Sequence, residues 1–164
     1  MDVPPIRIQV KKNAEPYRAT TARPYPVGRE SDCKAIIKQL ETSGIIRRHE
    51  EVTDWCSRAF FVPKHNGGLQ LVVNFRQINA GCNSIGIPFD SNRDIFQQLP
   101  AAASAFLTLD LTSSFFQLQV HEDDQPYLAF LVPCGKFLLQ RASMGELNSG
   151  DNLNINSRML LLGL

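Results

Sequence analysis

The stretch "RAFFVPKHNGGLQLVVNF", residues 58–75, holds two β-rich runs, "RAFFVPK" (58–64) and "LQLVVNF" (69–75), on either side of "HNGG". Aromatic and β-branched residues suit a half-buried pleated surface, and an Asn-Gly pair accepts the positive φ angles of a tight turn, so an antiparallel hairpin is expected. The polar "RQIN" that follows breaks the second run. Upstream, "RESDCKAIIKQLETS" (29–43) spaces Ala35, Ile36, Ile37 and Leu40 along one helical face, with Gly44 as the stop. Downstream, "PYLAFLVPCGKFLLQR" (126–141) reads as two more strands turning at Cys134-Gly135.

Between these lie "NRDIFQQL" (92–99), a short helix with Ser91 as its cap and Pro100 as its end, and "FLTLDLTSSFFQLQV" (106–120), read as two strands. In the first of these strands Phe106, Thr108 and Asp110 alternate with Leu107, Leu109 and Leu111, which brings Asp110 to the end of an apolar strand. An acid there must be solvated, capped or bound to a cation, because burying it unpaired costs several kcal/mol. On the residues alone it either caps the turn at "TSS" or belongs to a site. The tail, "GDNLNINSRMLLLGL" (150–164), is expected to be helical. Residues 1–28 hold five of the chain's ten prolines and are expected to form an extended strap, with "IRIQV" alternating like a short strand.

Composition narrows the function. With 43% hydrophobic residues in 164, the chain can build a core. No stretch reaches the ~20 apolar residues of a membrane span, and the charged, proline-broken start is unlike a secretory signal. Cys33, Cys56, Cys82 and Cys134 form no C-x-x-C pair, which fits reduced thiols in an intracellular protein. His49, His65 and His121 lack ligand spacing, and G-x-S-x-G, P-loop and H-E-x-x-H patterns are absent. The net charge of +1 hides an asymmetry. Residues 1–76 carry +5 and residues 77–164 carry −4. A basic half suits a polyanion and an acidic half suits cations, although scattered surface charge has the same signature.

Five segments in series resemble the N-terminal half of reverse transcriptases from gypsy-type LTR retrotransposons: "LETSGIIRR" (40–48), "WCSRAFFVPKHNGGLQLVVNFRQIN" (55–79), "IFQQLPAAASAFLTLDLTSSFFQLQV" (95–120), "HEDDQPYLAFLVPCGKF" (121–137) and "ASMGELNSGD" (142–151). The resemblance implies an α+β fold, the fingers and part of the palm of a right-hand polymerase, truncated before the Y-x-D-D hairpin and the thumb. Its divisions are a strap over 1–28, fingers over about 29–100 and the first part of the palm over about 101–164. It implies RNA-directed DNA polymerisation by two-metal nucleotidyl transfer, with Mg2+ held by carboxylates and with RNA or DNA template-primer and dNTP as partners.

By resemblance Asp110 is the first metal-binding carboxylate. Phe115 is the aromatic beneath the incoming sugar, Lys64 contacts the triphosphate, and Arg76 lies near the template. Read without the resemblance, Phe115 is a core aromatic, Lys64 a solubilising hairpin lysine and Arg76 one half of a surface ion pair. Asn79 is expected to brace its turn, and Asp123 and Asp124 to open a short helix rather than replace Y-x-D-D. Gln70 stands where the family pattern has an arginine and Asn74 where it has an aspartate, which removes charge from the nucleotide site. Glu146 interrupts the usual Met-Gly-Leu and suggests a disturbed segment.

No Y-x-D-D occurs, so this chain alone is expected not to polymerise. The alternatives are a non-enzymatic nucleic-acid- or partner-binding module derived from a retroelement, and a remnant without function. Remaining polymerase, RNase H and integrase domains are the expected neighbours in a polyprotein.

Overall fold

The computed structural model of the chain describes residues 3–65, 67–87, 93, 94, 97, 99, 100, 104, 105 and 110–162. The expected strand over 106–109 lies outside the described residues, as do Asn66 and much of the expected helix over 92–99. The described elements form an α+β domain built on a five-stranded sheet. Strands β1 (Ile46–Arg48), β2 (Ser57–Pro63), β3 (Leu69–Val73), β4 (Ala129–Val132) and β5 (Gly135–Leu139) lie in the order β1-β5-β4-β2-β3.

β2 and β3 form the expected antiparallel hairpin, with Phe60 opposite Val72 and Val62 opposite Gln70. β4 and β5 form a second hairpin, with Phe130 opposite Phe137. The two hairpins join by parallel pairing of β2 with β4, Ser57 opposite Phe130.

One face of the sheet builds the main core. Phe130 and Phe137 are both fully buried there, with ring centroids 5.9 Å apart. Each fully buried aromatic of this kind stabilises the fold by about 1.5–3 kcal/mol relative to exposure. Helix α1 (Glu30–Thr42) adds Cys33 and Ile37 to this core, with Ile36 and Leu40 half-buried; Ala35, expected on the inner face, is exposed. Gly44 ends the helix in a left-handed conformation, φ 63°. The Ile45 N–H reaches back to the Leu40 carbonyl and the Gly44 N–H to that of Glu41, at 3.0 Å each. These are the two bonds of a Schellman stop.

Three segments differ from the sequence expectation. "RQIN" is not a mere break but the start of helix α2 (Arg76–Gly81), whose inner side buries Ile78 and Gly81. Residues expected to continue as a strand after Asp110 instead form a 3-10 helix, Ser114–Gln117. The proline-rich start is extended, yet Ile6 and Ile8 are each only 5% exposed and belong to the main core.

That N-terminal segment joins the domain through isolated bridges, Ile6 with Val120, Val10 with Cys82 and Arg18 with Cys56. A second 3-10 helix, Glu122–Leu128, starts with the acidic turn as expected. The Asp124 carboxylate, 4% exposed, accepts the Ile8 N–H at 2.9 Å and lies 2.8 Å from Arg7 Nε. Asp124 is therefore committed to pinning the N-terminal segment. The tail forms the expected helix, α3 (Ser149–Leu162).

Candidate functional site

Two open cavities lie on either side of the Met144–Gly145 turn. The first, about 190 Å3, is lined by Gln70 of β3, Ser113, Ser114, Phe115, Phe116 and Met144. Its wall is a tight local structure. Ser113 has φ 51°, the left-handed region, which costs a non-glycine residue about 1–3 kcal/mol. The Phe116 N–H bonds the Ser113 carbonyl at 2.9 Å, and the Gln117 amide Nε2 donates to the Thr112 carbonyl at 3.0 Å. These bonds hold the 112–117 loop in shape and leave the Phe115 ring half-buried, packed against the core and facing the cavity.

The second cavity, about 370 Å3, runs beside β3 and is lined by Arg23, Phe60, Asn74, Arg76, Asn79 and Gly145, among others. The Arg23 guanidinium lies 5.1 Å above the centroid of the Phe60 ring, a cation–π contact. The Asn74 side-chain oxygen accepts the Arg76 N–H at 3.3 Å, which turns the chain from β3 into α2. Asn79 grips the turn opposite: its Nδ2 donates to the Gly145 carbonyl at 2.8 Å, and its Oδ1 accepts the Leu147 N–H at 3.0 Å. It braces this turn through both ends of its amide.

The segment after Gly145, whose sequence departs from the family pattern at Glu146, is held by its own polar side chains. Glu146 is 5% exposed; its carboxylate accepts the Asn148 N–H at 3.1 Å and the Ser149 hydroxyl at 2.7 Å, so it sits at the N-terminal end of α3. A negative charge is favoured there by the helix dipole. Asn148, fully buried, donates from Nδ2 to the Asn83 carbonyl at 2.9 Å and accepts the Ile85 N–H at 3.0 Å. Asp151 accepts the Gly86 N–H at 3.1 Å. Polar side chains thus tie the turn between the two cavities to α2 and to residues 83–86.

The structure brings some of the sequence candidates together and separates others. Phe115 shares the smaller cavity with Gln70, and Arg76 shares the larger one with Asn74 and Asn79. Lys64 is exposed at the end of the β2–β3 hairpin, where its N–H donates to the Gly68 carbonyl at 2.8 Å; it lines neither cavity. Asp110 is exposed, lines neither cavity and forms no ion pair among the described residues. Two catalytic cations need several oxygen ligands. Among the described residues no group of three His, Cys, Asp or Glu side chains can hold a metal ion, so these residues do not fit a two-metal centre.

Sequence reading missed Arg23, Ser113 and Met144 as lining residues. Arg23 comes from the proline-rich segment and Ser113 from a turn, and neither has a local pattern that announces the cavity. The thiols are as expected for reduced cysteines: all four are free, and burial raises the Cys33, Cys56 and Cys82 thiols, that of Cys82 to about 11. No helix among the described residues is long and apolar enough to cross a membrane.

No protein-family model matches the chain. In sequence it is similar to the retrovirus-related Pol polyprotein from transposon opus of Drosophila melanogaster, 30% identical over 151 residues, which is 88% of this chain and 15% of that protein. It is also similar to the transposon Tf2-3 polyprotein of Schizosaccharomyces pombe, 28% identical over 133 residues, 80% of this chain and 10% of that one. In fold it matches the prototype foamy virus protease-reverse transcriptase, CSH mutant, with TM-score 0.81 at 18% identity over 99% of this chain and 21% of that one. The foamy viral protease-reverse transcriptase in complex with an RNA/DNA hybrid gives TM-score 0.77 at 19% identity, again over 99% and 21%. The chain is thus an α+β domain whose fold matches part of the foamy virus protease-reverse transcriptase. It is similar to retrotransposon Pol polyproteins and spans only a small part of their length.

Proposed function

We propose that the chain is the fingers and first part of the palm of a gypsy-type reverse transcriptase, with a strap over 1–28, fingers over about 29–100 and palm over about 101–164. In this reading the smaller cavity receives the sugar of the incoming dNTP against Phe115, and the groove beside β3 receives the template strand near Arg76. Lys64 at the hairpin tip reaches the triphosphate, and Asp110 is one of the carboxylates that hold Mg2+. The observation that carries the reading is the pairing of two cavities across one braced turn, with Phe115 on one side and Arg76 on the other.

Gln70 lines the smaller cavity without a charge, so the cationic grip on a triphosphate is reduced to Lys64. One carboxylate cannot organise two cations, and the 164-residue chain by itself therefore does not extend a primer. It binds template-primer without turnover, inside the cell and beside the remaining polymerase, RNase H and integrase domains of a polyprotein.

Primer extension on an RNA template with magnesium, comparing the chain with Asp110→Asn, tests this. No extension by either is expected. Extension by the parent and its loss in the variant would overturn the inactive reading and place the missing carboxylates elsewhere in the chain or in a second copy. A second reading, a nucleic-acid-binding module that has no catalytic role in any assembly, is favoured by Arg23 and Arg76, which both line the groove beside β3. Adding the following polyprotein segment in trans separates the two, because only a true palm fragment gains extension that Asp110→Asn abolishes.

A further inference from the structure

A third cavity, about 350 Å3, shares no residue with the two on either side of the Met144–Gly145 turn. Three parts of the chain meet around it: Pro24 and Tyr25 of the N-terminal segment, Glu30 and Lys34 of α1, and Pro133 and Cys134 of the β4–β5 turn. Arg48 holds the turn, its Nη1 donating to the Cys134 carbonyl at 3.2 Å while its guanidinium lies 4.9 Å over the Phe137 ring. Tyr25 is held from the other side, its ring 5.8 Å from that of Phe61. Two prolines and a ring packed on the core give the cavity firm walls.

The cavity carries a nucleophile, a donor and a charge pair. Of the four thiols, those of Cys33, Cys56 and Cys82 are buried and that of Cys134, in the cavity wall, is half-exposed. The Tyr25 hydroxyl oxygen is shut off from water and makes no hydrogen bond of ordinary geometry among the described residues. Burial first, and then the neighbouring Cys134 thiol, push the titration of this hydroxyl well above the usual tyrosine range, so it stays protonated and able to donate. A buried polar group without a partner is costly, and the cavity gains when a ligand brings an acceptor. Lys34 Nζ lies 2.7 Å from Glu30 Oε1, with the two side chains 56% and 63% exposed. Lys34 is also near enough to Cys134 for the two to act on each other electrostatically. One cation and one carboxylate thus line the same cavity as the thiol.

We propose that Cys134 is a thiol-exchange site, which takes a small disulfide bearing carboxylate and ammonium groups, of the glutathione disulfide class, and keeps half of it as a mixed disulfide. The Cys134 sulfur, as thiolate, attacks one sulfur of the ligand. The ligand's S–S bond breaks, a new S–S bond joins that half to Cys134, and the departing thiolate takes up the proton that Cys134 gave up. No outside oxidant is required, because one disulfide replaces another. A ligand carboxylate faces Lys34, its ammonium group faces Glu30, and the Tyr25 hydroxyl donates to an oxygen of the bound half. The adduct sits where the N-terminal segment, α1 and the β4–β5 turn meet, and it reports the thiol–disulfide balance of the surroundings. The inference goes beyond the reverse-transcriptase reading and does not depend on it.

The test is the rate of adduct formation at each cysteine of the full chain, followed by mass spectrometry at mildly alkaline pH. Two probes are compared: glutathione disulfide and the uncharged hydroxyethyl disulfide. Cys134 is expected to react first. Its preference for glutathione disulfide should be about fivefold greater in the folded chain than in urea, roughly the worth of one exposed ion pair. Lys34→Gln should remove that preference and Lys34→Arg should keep it. Tyr25→Phe should lower the equilibrium yield of the glutathione adduct about fivefold, through the loss of one hydrogen bond. Should that variant unfold, Lys34→Gln at an exposed position carries the test. An equal preference in folded and unfolded chains would leave only an accessible thiol and overturn the proposal. Adducts at Cys33, Cys56 or Cys82 forming as fast as at Cys134 would overturn it as well, since the chain would then be reacting through opening rather than through this cavity.

Discussion

The sheet and the 145–156 segment are both buried, but different forces hold them. The sheet core is apolar: Phe130, Val132, Phe137 and Leu138 are at most 1% exposed, and water exclusion stabilises them without fixing direction. The 145–156 segment buries Glu146, Asn148, Ser149, Asn152 and Asn156 instead. Its order depends on named donors meeting named acceptors, and even so the Asn152 amide nitrogen has no partner among the described residues. Apolar packing supplies most of the stability of the domain, whereas the polar segment sets the position of the turn between the two cavities. Each broken polar contact there leaves a buried group unsatisfied.

The largest expected effect is on the apolar side. Phe137→Ala removes a fully buried ring that stacks on Phe130, and should cost about 3–5 kcal/mol by urea unfolding. A loss below 1 kcal/mol would mean that the sheet core is not the stabilising element. Smaller and more local is Asn148→Ala, which strips partners from the Ile85 N–H and the Asn83 carbonyl and should cost about 1–3 kcal/mol. Its distinguishing sign is loss of hydrogen-exchange protection at Ile85 and Leu147 with the β2–β3 ladder unchanged. Uniform loss across the ladder would show that the two regions are not held separately.

The smallest effect vanishes at neutral pH. The buried Cys82 thiol is raised from 9.0 to about 11 by burial first and by the Glu146 charge second. Below pH 9 the thiol is protonated in both folded and unfolded chains and stability is unaffected. Between pH 9 and 11 the unfolded chain releases its proton more readily, so stability falls as pH rises. Cys82→Ala should flatten that fall in urea midpoints measured across this window, and an unaltered pH slope would remove Cys82 as its source.

Much of the scaffold is legible in local sequence. "PKHNGG" announces the β2–β3 hairpin, Gly44 the end of α1 and Cys134-Gly135 the β4–β5 turn. Gly135 has φ 140° and lies under the Arg48 guanidinium, where an added Cβ would come within 2.6 Å of Nη1. The guanidinium could swing aside, but a φ of 140° is strained for any residue with a Cβ, so glycine is favoured there. The local reading failed where a segment has no periodicity of its own. "SFFQ" has strand-like composition, but the bonds of the 112–117 loop wind it into a 3-10 helix. "RQIN" looks polar and exposed, but Ile78 packs into the core and the Asn74 side chain turns the chain inward.

The candidate site divides along the same line. The sequence by itself determined which residues were available: one hairpin lysine, Arg76 after its strand, Phe115 after its turn, and an isolated Asp110. Residue type and turn chemistry act over a few positions, so they can be read from a few positions. Only the tertiary structure decided which of these meet. Phe115 and Gln70 come together around one cavity, while Arg23 joins Arg76 across more than fifty residues of chain. The Met144–Gly145 turn stands between the cavities because Asn79, more than sixty residues earlier, supplies both a donor and an acceptor to it. Contacts of that sequence separation depend on the packing of the whole sheet and leave no local pattern from which they could be read.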